Sequence, residues 1–339
     1  MVEPKTGMAP ATEQQVERLL ETDALFKREL SQRLEAMEEW GLMGAYHALG
    51  YFHAQMHQQE REGSLEESHF SAEALGGHTE RAPMMISGAK RFQVERKADR
   101  TYVTTADRET EEILRAKIRS VFAQDAVVGE EFGTSPGSSG FCWYLDPIDG
   151  TQAFVHGVPL FGTLVGVEYC GVSVLGAIVL PALGEALFAG KGHGCQWHRG
   201  LMGHPDRKTL VGGQRSRARV STVQTMADAL FCTTWLQSYR ATNTMGLFYS
   251  LAEKTGVFRG WGDCYGYALV ATGRAEIMVD PQLMVWDAAP LLIILEEAGG
   301  RYTGFHGERS IHCPHAIATN GWLHDSVLQV AEAFPVVEA

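Results

Sequence analysis

The stretch Trp143-Tyr144-Leu145-Asp146-Pro147-Ile148-Asp149-Gly150-Thr151 decides how this chain is to be read. Its apolar start, continuous from Phe141, has the pattern of a buried strand. That strand delivers Asp146 at its exit, Pro147 turns the backbone, and Asp149 follows in the turn. Two carboxylates so placed can converge on a hard cation, and the Ile148 carbonyl can join them. Donors that are all oxygen favour Mg²⁺, which keeps part of its water shell and is completed by substrate phosphate. Gly150 and Thr151 then open a helix whose free N–H groups can hold phosphate oxygens. Taken alone, Asp149 is equally well an Asx-turn or a helix cap.

Other carboxylates stand at the ends of neighbouring elements. Glu130 and Glu131 follow the apolar run Ala126-Val127-Val128-Gly129. Asp107, in Val103-Thr104-Thr105-Ala106-Asp107, starts a helix expected over 105–122, and Asp287, in Trp286-Asp287-Ala288-Ala289, starts one over 287–298. Each is an ordinary cap when read singly. Together they lie where open α/β sheets bind their ligands.

Around these motifs, the 339 residues suffice for two domains of ordinary size, and 45% hydrophobic content provides a core. A helix is predicted from a Thr12 N-cap to a stop at Gly41, and a second from about 42 to 60. Residues 63–83 have no period and read as a loop or insertion. Leu160–Tyr169 and Val172–Leu180, split by Cys170-Gly171, form a predicted hairpin. The Arg- and Gly-rich segment 199–217 is the expected boundary between lobes. The division is thus a helical extension (1–41), a metal-binding α+β lobe (42–210) and a C-terminal α/β lobe (211–339).

Lys plus Arg total 29 against 41 Asp plus Glu, a net charge of −12. This argues against a nucleic-acid partner, since a polyanion is repelled. A small phosphorylated metabolite fits if bound cations overturn the acidic field locally. The 6 cysteines contain no CxxC pair and read as reduced, buried thiols of a cytoplasmic protein. The start of the chain lacks a basic-then-apolar secretory pattern, and the apolar region Phe161–Gly190 is broken by Glu168, Glu185 and glycines. No membrane association is therefore expected. His193 with His198, and His312 with Cys313 and His315, match no zinc-site spacing.

The motifs Gly129-Glu130-Glu131, Asp146-Pro147-Ile148-Asp149-Gly150-Thr151 and Trp286-Asp287-Ala288-Ala289, with Val103-Thr104 and Asp107 upstream, resemble one family over residues 86–335. It comprises the lithium-sensitive, Mg²⁺-dependent phosphatases related to inositol monophosphatase and fructose-1,6-bisphosphatase. The resemblance implies an α-β-α-β-α sandwich, here with an extra N-terminal helix, commonly assembled as a homodimer. It implies side-chain metal ligands at Glu130, Asp146, Asp149 and Asp287, a carbonyl ligand at Ile148, and two or three Mg²⁺ ions, two of them bridged by Asp146. Asp107 and Thr151 would activate the attacking water, by a relay of the Thr hydroxyl proton to Asp107. Glu131 would order nearby water or a weaker third ion.

Within the family, Arg259-Gly260-Trp261-Gly262-Asp263-Cys264-Tyr265-Gly266-Tyr267 is most similar to the histidinol-phosphate phosphatase branch. Substrate contacts are expected from Gly150, Thr151, Asp263, Asp280 and Arg259. For Asp263 a helix N-cap competes with substrate contact, for Asp280 a turn before Pro281, and for Arg259 a surface ion pair. Lys97 is either a basic group on the cleft approach or an exposed salt bridge. The expected reaction is hydrolysis of L-histidinol phosphate. The alternatives are inositol 1-phosphate, 3′-phosphoadenosine 5′-phosphate, or a catalytically silent structural or regulatory relative.

Overall fold

A computed structural model of the chain describes residues 8–63, 94–96 and 102–335. The expected insertion at 63–83 lies outside the described residues except for Gly63, and Lys97 lies outside them too. The described chain begins α1 (Glu13–Thr22), α2 (Ala24–Gly63), β1 (Val94–Arg96), β2 (Tyr102–Thr104) and α3 (Thr105–Val121). Next come β3 (Ala126–Gly129), β4 (Gly133–Ser135), β5 (Phe141–Asp149), α4 (Thr151–Val155), β6 (Gly162–Tyr169) and β7 (Val172–Leu180). Strands β8 (Glu185–Gly190), β9 (Gly194–His204), β10 (Thr209–Arg217) and β11 (Leu230–Cys232) precede α5 (Leu236–Ala241), α6 (Met245–Lys254) and β12 (Val257–Arg259). The chain closes with α7 (Asp263–Ala271), β13 (Ile277–Asp280), α8 (Val285–Glu297), β14 (Arg301–Thr303), β15 (Ala316–Thr319) and α9 (His324–Ala331).

Eight strands form one sheet in the order β10-β9-β8-β7-β6-β5-β3-β4, and five form another in the order β12-β11-β13-β15-β14. Helices α2 and α3 cover the outer face of the large sheet through Leu30, Met37, Leu114, Trp143 and Phe188. Between the sheets lie α7 and α8, where Leu164 and Ile178 of one sheet share a core with Met278 and Ala318 of the other. Helices α6 and α9 close the far side on Phe231, Val279 and Ile317. This is the expected five-layer sandwich.

Thr12 caps α1 as expected: its hydroxyl accepts from Gln15 N–H at 3.2 Å while Gln15 Oε1 accepts from Thr12 N–H at 2.7 Å. The expected stop at Gly41 is corrected. The break falls at Asp23, whose carboxylate takes Leu25 N–H at 2.9 Å and Phe26 N–H at 3.0 Å and so starts α2. Helix α2 then runs through Gly41, where an added Cβ would stand at ordinary contact distance from Val179 (3.6 Å) and Phe188 (3.8 Å). Glycine costs about 1 kcal/mol inside a helix, and burying Met37, Trp40 and Leu49 on the sheet outweighs it.

The boundary drawn at 41/42 therefore falls within a continuous helix, and that at 210/211 within β10. Segment 199–217 is no linker but most of the β9–β10 hairpin, paired from Thr209↔His204 to Arg217↔Gln196. Its glycines and charges belong to the sheet edge, where most β10 side chains meet solvent. Among the described residues, no helix is long and apolar enough to cross a membrane.

The extension is locked to the sheet by Arg33 of α2. Its guanidinium makes two 2.8 Å bonds to Asp125, just before β3, and lies 3.6 Å from the Phe141 ring centroid. Asp125 also accepts from Trp143 Nε1 at 2.8 Å and Ser139 Oγ at 2.6 Å.

Candidate active site

Strands β3 and β5 run parallel, with Gly129 opposite Leu145. Their exits therefore place Glu130 beside Asp146, and Glu130 N–H donates to Leu145 O at 3.2 Å. Strand β5 continues past Leu145 to Asp149 against β6. Asp146 pairs with Leu164 but Asp149 with Gly162, so three steps on β5 match two on β6. Residues three apart face opposite sides of a regular strand; this bulge restores a common side for the two carboxylates. Ile148 N–H donates to Asp146 Oδ1 at 3.0 Å, and Thr163 Oγ1 donates to the Pro147 carbonyl at 2.8 Å.

Asp287 arrives on the first turn of α8, where Oδ2 also accepts from Met284 N–H at 3.0 Å. Carboxylate oxygens of Asp146, Asp149 and Asp287 all lie within 4.8 Å of one another. Burial first, then the charges of Glu130, Asp149 and Asp287, drives the Asp146 carboxyl well above its ordinary range. Asp149 is raised by burial and by Asp287, and Asp287 by burial and by Glu130. Cys264 N–H donates to Asp149 Oδ2 at 2.5 Å. Among the described residues no lysine or arginine pairs with these three. A buried group of this charge needs protons or a multivalent cation, and its all-oxygen donors suit a hard ion.

Asp107 sits on the first turn of α3 at 1% exposure. Oδ2 accepts Thr104 N–H at 2.7 Å and the Thr104 hydroxyl at 2.5 Å. Burial pushes the carboxyl up to about 7, against the Thr104 bonds and with help from Glu131 and Glu130. Both Asp107 and Asp287 thus cap a helix and face the other carboxylates; the two readings of the sequence are one arrangement. Thr151 and Asp107, the two residues of the expected relay, share no hydrogen bond with each other in this structure. Thr104, three residues away in a capping box, supplies the hydroxyl beside Asp107, whereas Thr151 Oγ1 donates to the Ile148 carbonyl at 2.9 Å.

Sequence reading missed Glu111, which holds the Glu130-Glu131 loop from behind. This fully buried carboxylate accepts Glu131 N–H at 2.8 Å, Phe132 N–H at 3.3 Å and Arg115 Nε at 2.6 Å. Gly129 is glycine because a Cβ there would lie 2.1 Å from Glu111 Oε1. The only signal was an i,i+4 Glu–Arg pair, which an exposed helix face also produces.

On the opposite wall, Asp263 is not an N-cap. Gly262 holds that position, and Asp263 is the first residue of α7, with φ +51°. Its Oδ2 lies 3.3 Å from where a Cβ on Gly150 would stand, and Gly150 itself has φ +79°. Burial, then the Asp149 and Asp280 charges, raises the Asp263 carboxyl. Asp280 is 2% exposed and fully engaged below the cleft, accepting from Thr234 N–H, Thr234 Oγ1 and Tyr267 OH at 3.0–3.1 Å. Arg259 is not brought into this group; it is exposed on β12 and donates to the Phe258 carbonyl at 2.7 Å. The histidines build no competing centre: among the described residues, the three aspartates are the one set of three candidate ligands within reach of each other.

A five-layer sandwich that gathers carboxylates at the exits of adjacent strands defines a site with candidate ligands for a hard cation. Residues 72–333 match the Inositol monophosphatase family, and the chain belongs to it. It is 38% identical over 224 residues to a histidinol-phosphatase of Chlorobaculum parvum, covering 66% of this chain and 80% of the relative. A histidinol-phosphatase of Mycobacterium tuberculosis is 36% identical over 255 residues, 75% of this chain and 94% of the relative. Among solved structures, extragenic suppressor protein suhB from Bartonella henselae superposes with a TM-score of 0.61 at 25% identity, covering 71% of this chain and 89% of that one. The chain is a phosphoric monoester hydrolase.

Proposed function

We propose that this hydrolase is Mg²⁺-dependent and acts on L-histidinol phosphate, releasing histidinol and inorganic phosphate. The observation that carries the metal reading is the set of three aspartates within 4.8 Å of one another without a basic partner among the described residues. Glu130, Asp146, Asp149 and Asp287, with the Ile148 carbonyl, would hold the ions, two or three as the family resemblance implies. Bound Mg²⁺ supplies acidification of a water and neutralisation of charge on the phosphate and leaving oxygen.

The remaining work falls to the chain itself. Thr104 occupies Asp107 Oδ2, which leaves Oδ1 to accept the proton of the attacking water. Glu131 stands near Asp107 and orders that water. Gly150 and Thr151, at the start of α4, receive phosphate oxygens. Asp263 meets the charged end of the alcohol. Arg259, exposed on β12 and outside the carboxylate group, would act on the phosphate only by long-range steering.

The substrate reading rests on the two histidinol-phosphatase relatives and on the Asp263 carboxylate standing beside Gly150. A cytoplasmic location is supported by free cysteine thiols, five of the six buried. A homodimer is what the resemblance implies. Phosphate release from histidinol phosphate, inositol 1-phosphate and 3′-phosphoadenosine 5′-phosphate, with and without Mg²⁺, tests the proposal. Turnover of histidinol phosphate should lead and should vanish on chelation. Faster release from either other ester refutes the substrate, and Mg²⁺-independent release refutes the metal.

A further inference from the structure

Asp280 was expected to touch the substrate, yet its oxygens are spent inside the protein. Oδ1 accepts Thr234 N–H at 3.0 Å, while Oδ2 accepts Thr234 Oγ1 at 3.1 Å and Tyr267 OH at 3.0 Å. The consequence runs through Thr234. A threonine hydroxyl has one proton to give and lone pairs to receive. Here the proton goes to Asp280, and a lone pair takes the Asp263 N–H at 2.9 Å.

That last bond fixes a residue in an uncommon state. Asp263 is a non-glycine residue with φ +51°, a backbone conformation that persists only where neighbours enforce it. What it accomplishes is visible in the side chain. The carboxylate makes no capping bond to α7, and among the described residues no basic group pairs with it. It stands instead beside Gly150, within the field of Asp149. A carboxylate held there, half-buried and without a basic partner among the described residues, is a receptor for a positive charge on the ligand.

We propose that Thr234, anchored by Asp280, is a positioning residue that holds Asp263 beside Gly150 to receive a cationic group on the leaving alcohol. The inference rests on the histidinol phosphate reading, and it assigns selectivity to a chain from buried Asp280 through Thr234 to half-buried Asp263. The alcohol released would carry an ammonium or imidazolium, and neutral polyols would lack the matching charge.

The test compares kcat and KM for histidinol phosphate with those for glycerol 2-phosphate, whose leaving alcohol is neutral, at saturating Mg²⁺. Thr234→Val keeps the volume and deletes both hydroxyl bonds. It should lower the selectivity ratio for the cationic ester by about tenfold, the scale of one charge-assisted contact, chiefly through KM. Thr234→Ser, which restores the hydroxyl, should recover most of it. Asp263→Asn should lose the same selectivity, and the double variant should lose no more than Asp263→Asn alone. A parallel fall for both esters with the ratio unchanged marks a merely structural role and overturns the proposal, as does failure of serine to rescue. If the wild-type protein does not favour histidinol phosphate, the substrate reading itself has failed. If it does and Thr234→Val keeps the ratio, only the positioning role has failed.

Discussion

Glu111→Gln is a sharp test of how the site is built, because it changes almost no volume and reverses part of a buried hydrogen-bond pattern. The native carboxylate accepts Arg115 Nε and Phe132 N–H on Oε1 and Glu131 N–H on Oε2. An amide offers one acceptor oxygen and one NH₂, so whichever way it turns, the NH₂ faces a donor. Arg115, with its side chain 6% exposed, loses its counter-charge. Breaking a buried ion pair from one side costs about 3–5 kcal/mol, and one of the two donor sets goes unsatisfied at the same time. The damage lands on the residue after Glu130. If Glu130 is the metal ligand proposed above, removing the support behind it weakens metal binding by about 10–100-fold. Urea denaturation in EDTA should show the stability loss, and a Mg²⁺ titration of phosphate release should show the activation midpoint raised by at least about tenfold. Stability within about 1 kcal/mol of wild type together with an unshifted Mg²⁺ midpoint would refute the view that Glu111 holds the ligand loop.

Asp107→Asn should keep the Thr104 cap largely intact and leave Mg²⁺-induced thermal stabilisation in place while cutting kcat by about 100-fold or more; retained turnover would remove Asp107 from proton transfer. In EDTA, stability should fall as pH rises from about 4 to about 7. Asp107, pushed up to about 7, and the raised Asp146, Asp149 and Asp287 keep protons in the fold that the unfolded chain has already released near pH 4. Stabilisation by Mg²⁺ should grow over the same interval, since the ion binds the ionised carboxylates; a metal-free stability that rises through that window contradicts the assignment. Arg33→Ala strands Asp125 in the core and should cost about 3–5 kcal/mol in urea melts, and a loss below about 1 kcal/mol would make the contact a surface-like pair.

Much of the site was legible because its chemistry is local. Asp146, Asp149 and Glu130 follow apolar strand runs, Asp107 and Asp287 open helices, and the Thr12 cap and the 160–180 hairpin are written in turn chemistry a few residues long. What escaped notice depends on partners far away in the chain. Glu111 looks like any acid of an amphipathic helix until the exit of β3 is laid against it. Thr234 has no signature of its own, and Asp280 could be separated from direct contact only once Thr234 and Tyr267 were seen to surround it. The bulge at Pro147 emerges from mismatched register with β6, which no single strand reveals. Gly41 suggests a helix break because glycine usually ends helices. Asp23 ended the first helix by capping the second, and the sheet face kept Gly41 helical.

The Arg33–Asp125 clasp joins groups 92 residues apart. As the protein leaves the ribosome, α2 is complete long before Asp125, Trp143, Val179 or Phe188 has been made. Its stripe of Leu30, Met37 and Trp40 must wait, wet and sticky, through most of the synthesis of the large sheet. Newborn chains are therefore most vulnerable to clumping in that interval, and a cell short of holding chaperones should lose this enzyme early in its making rather than late in its working life.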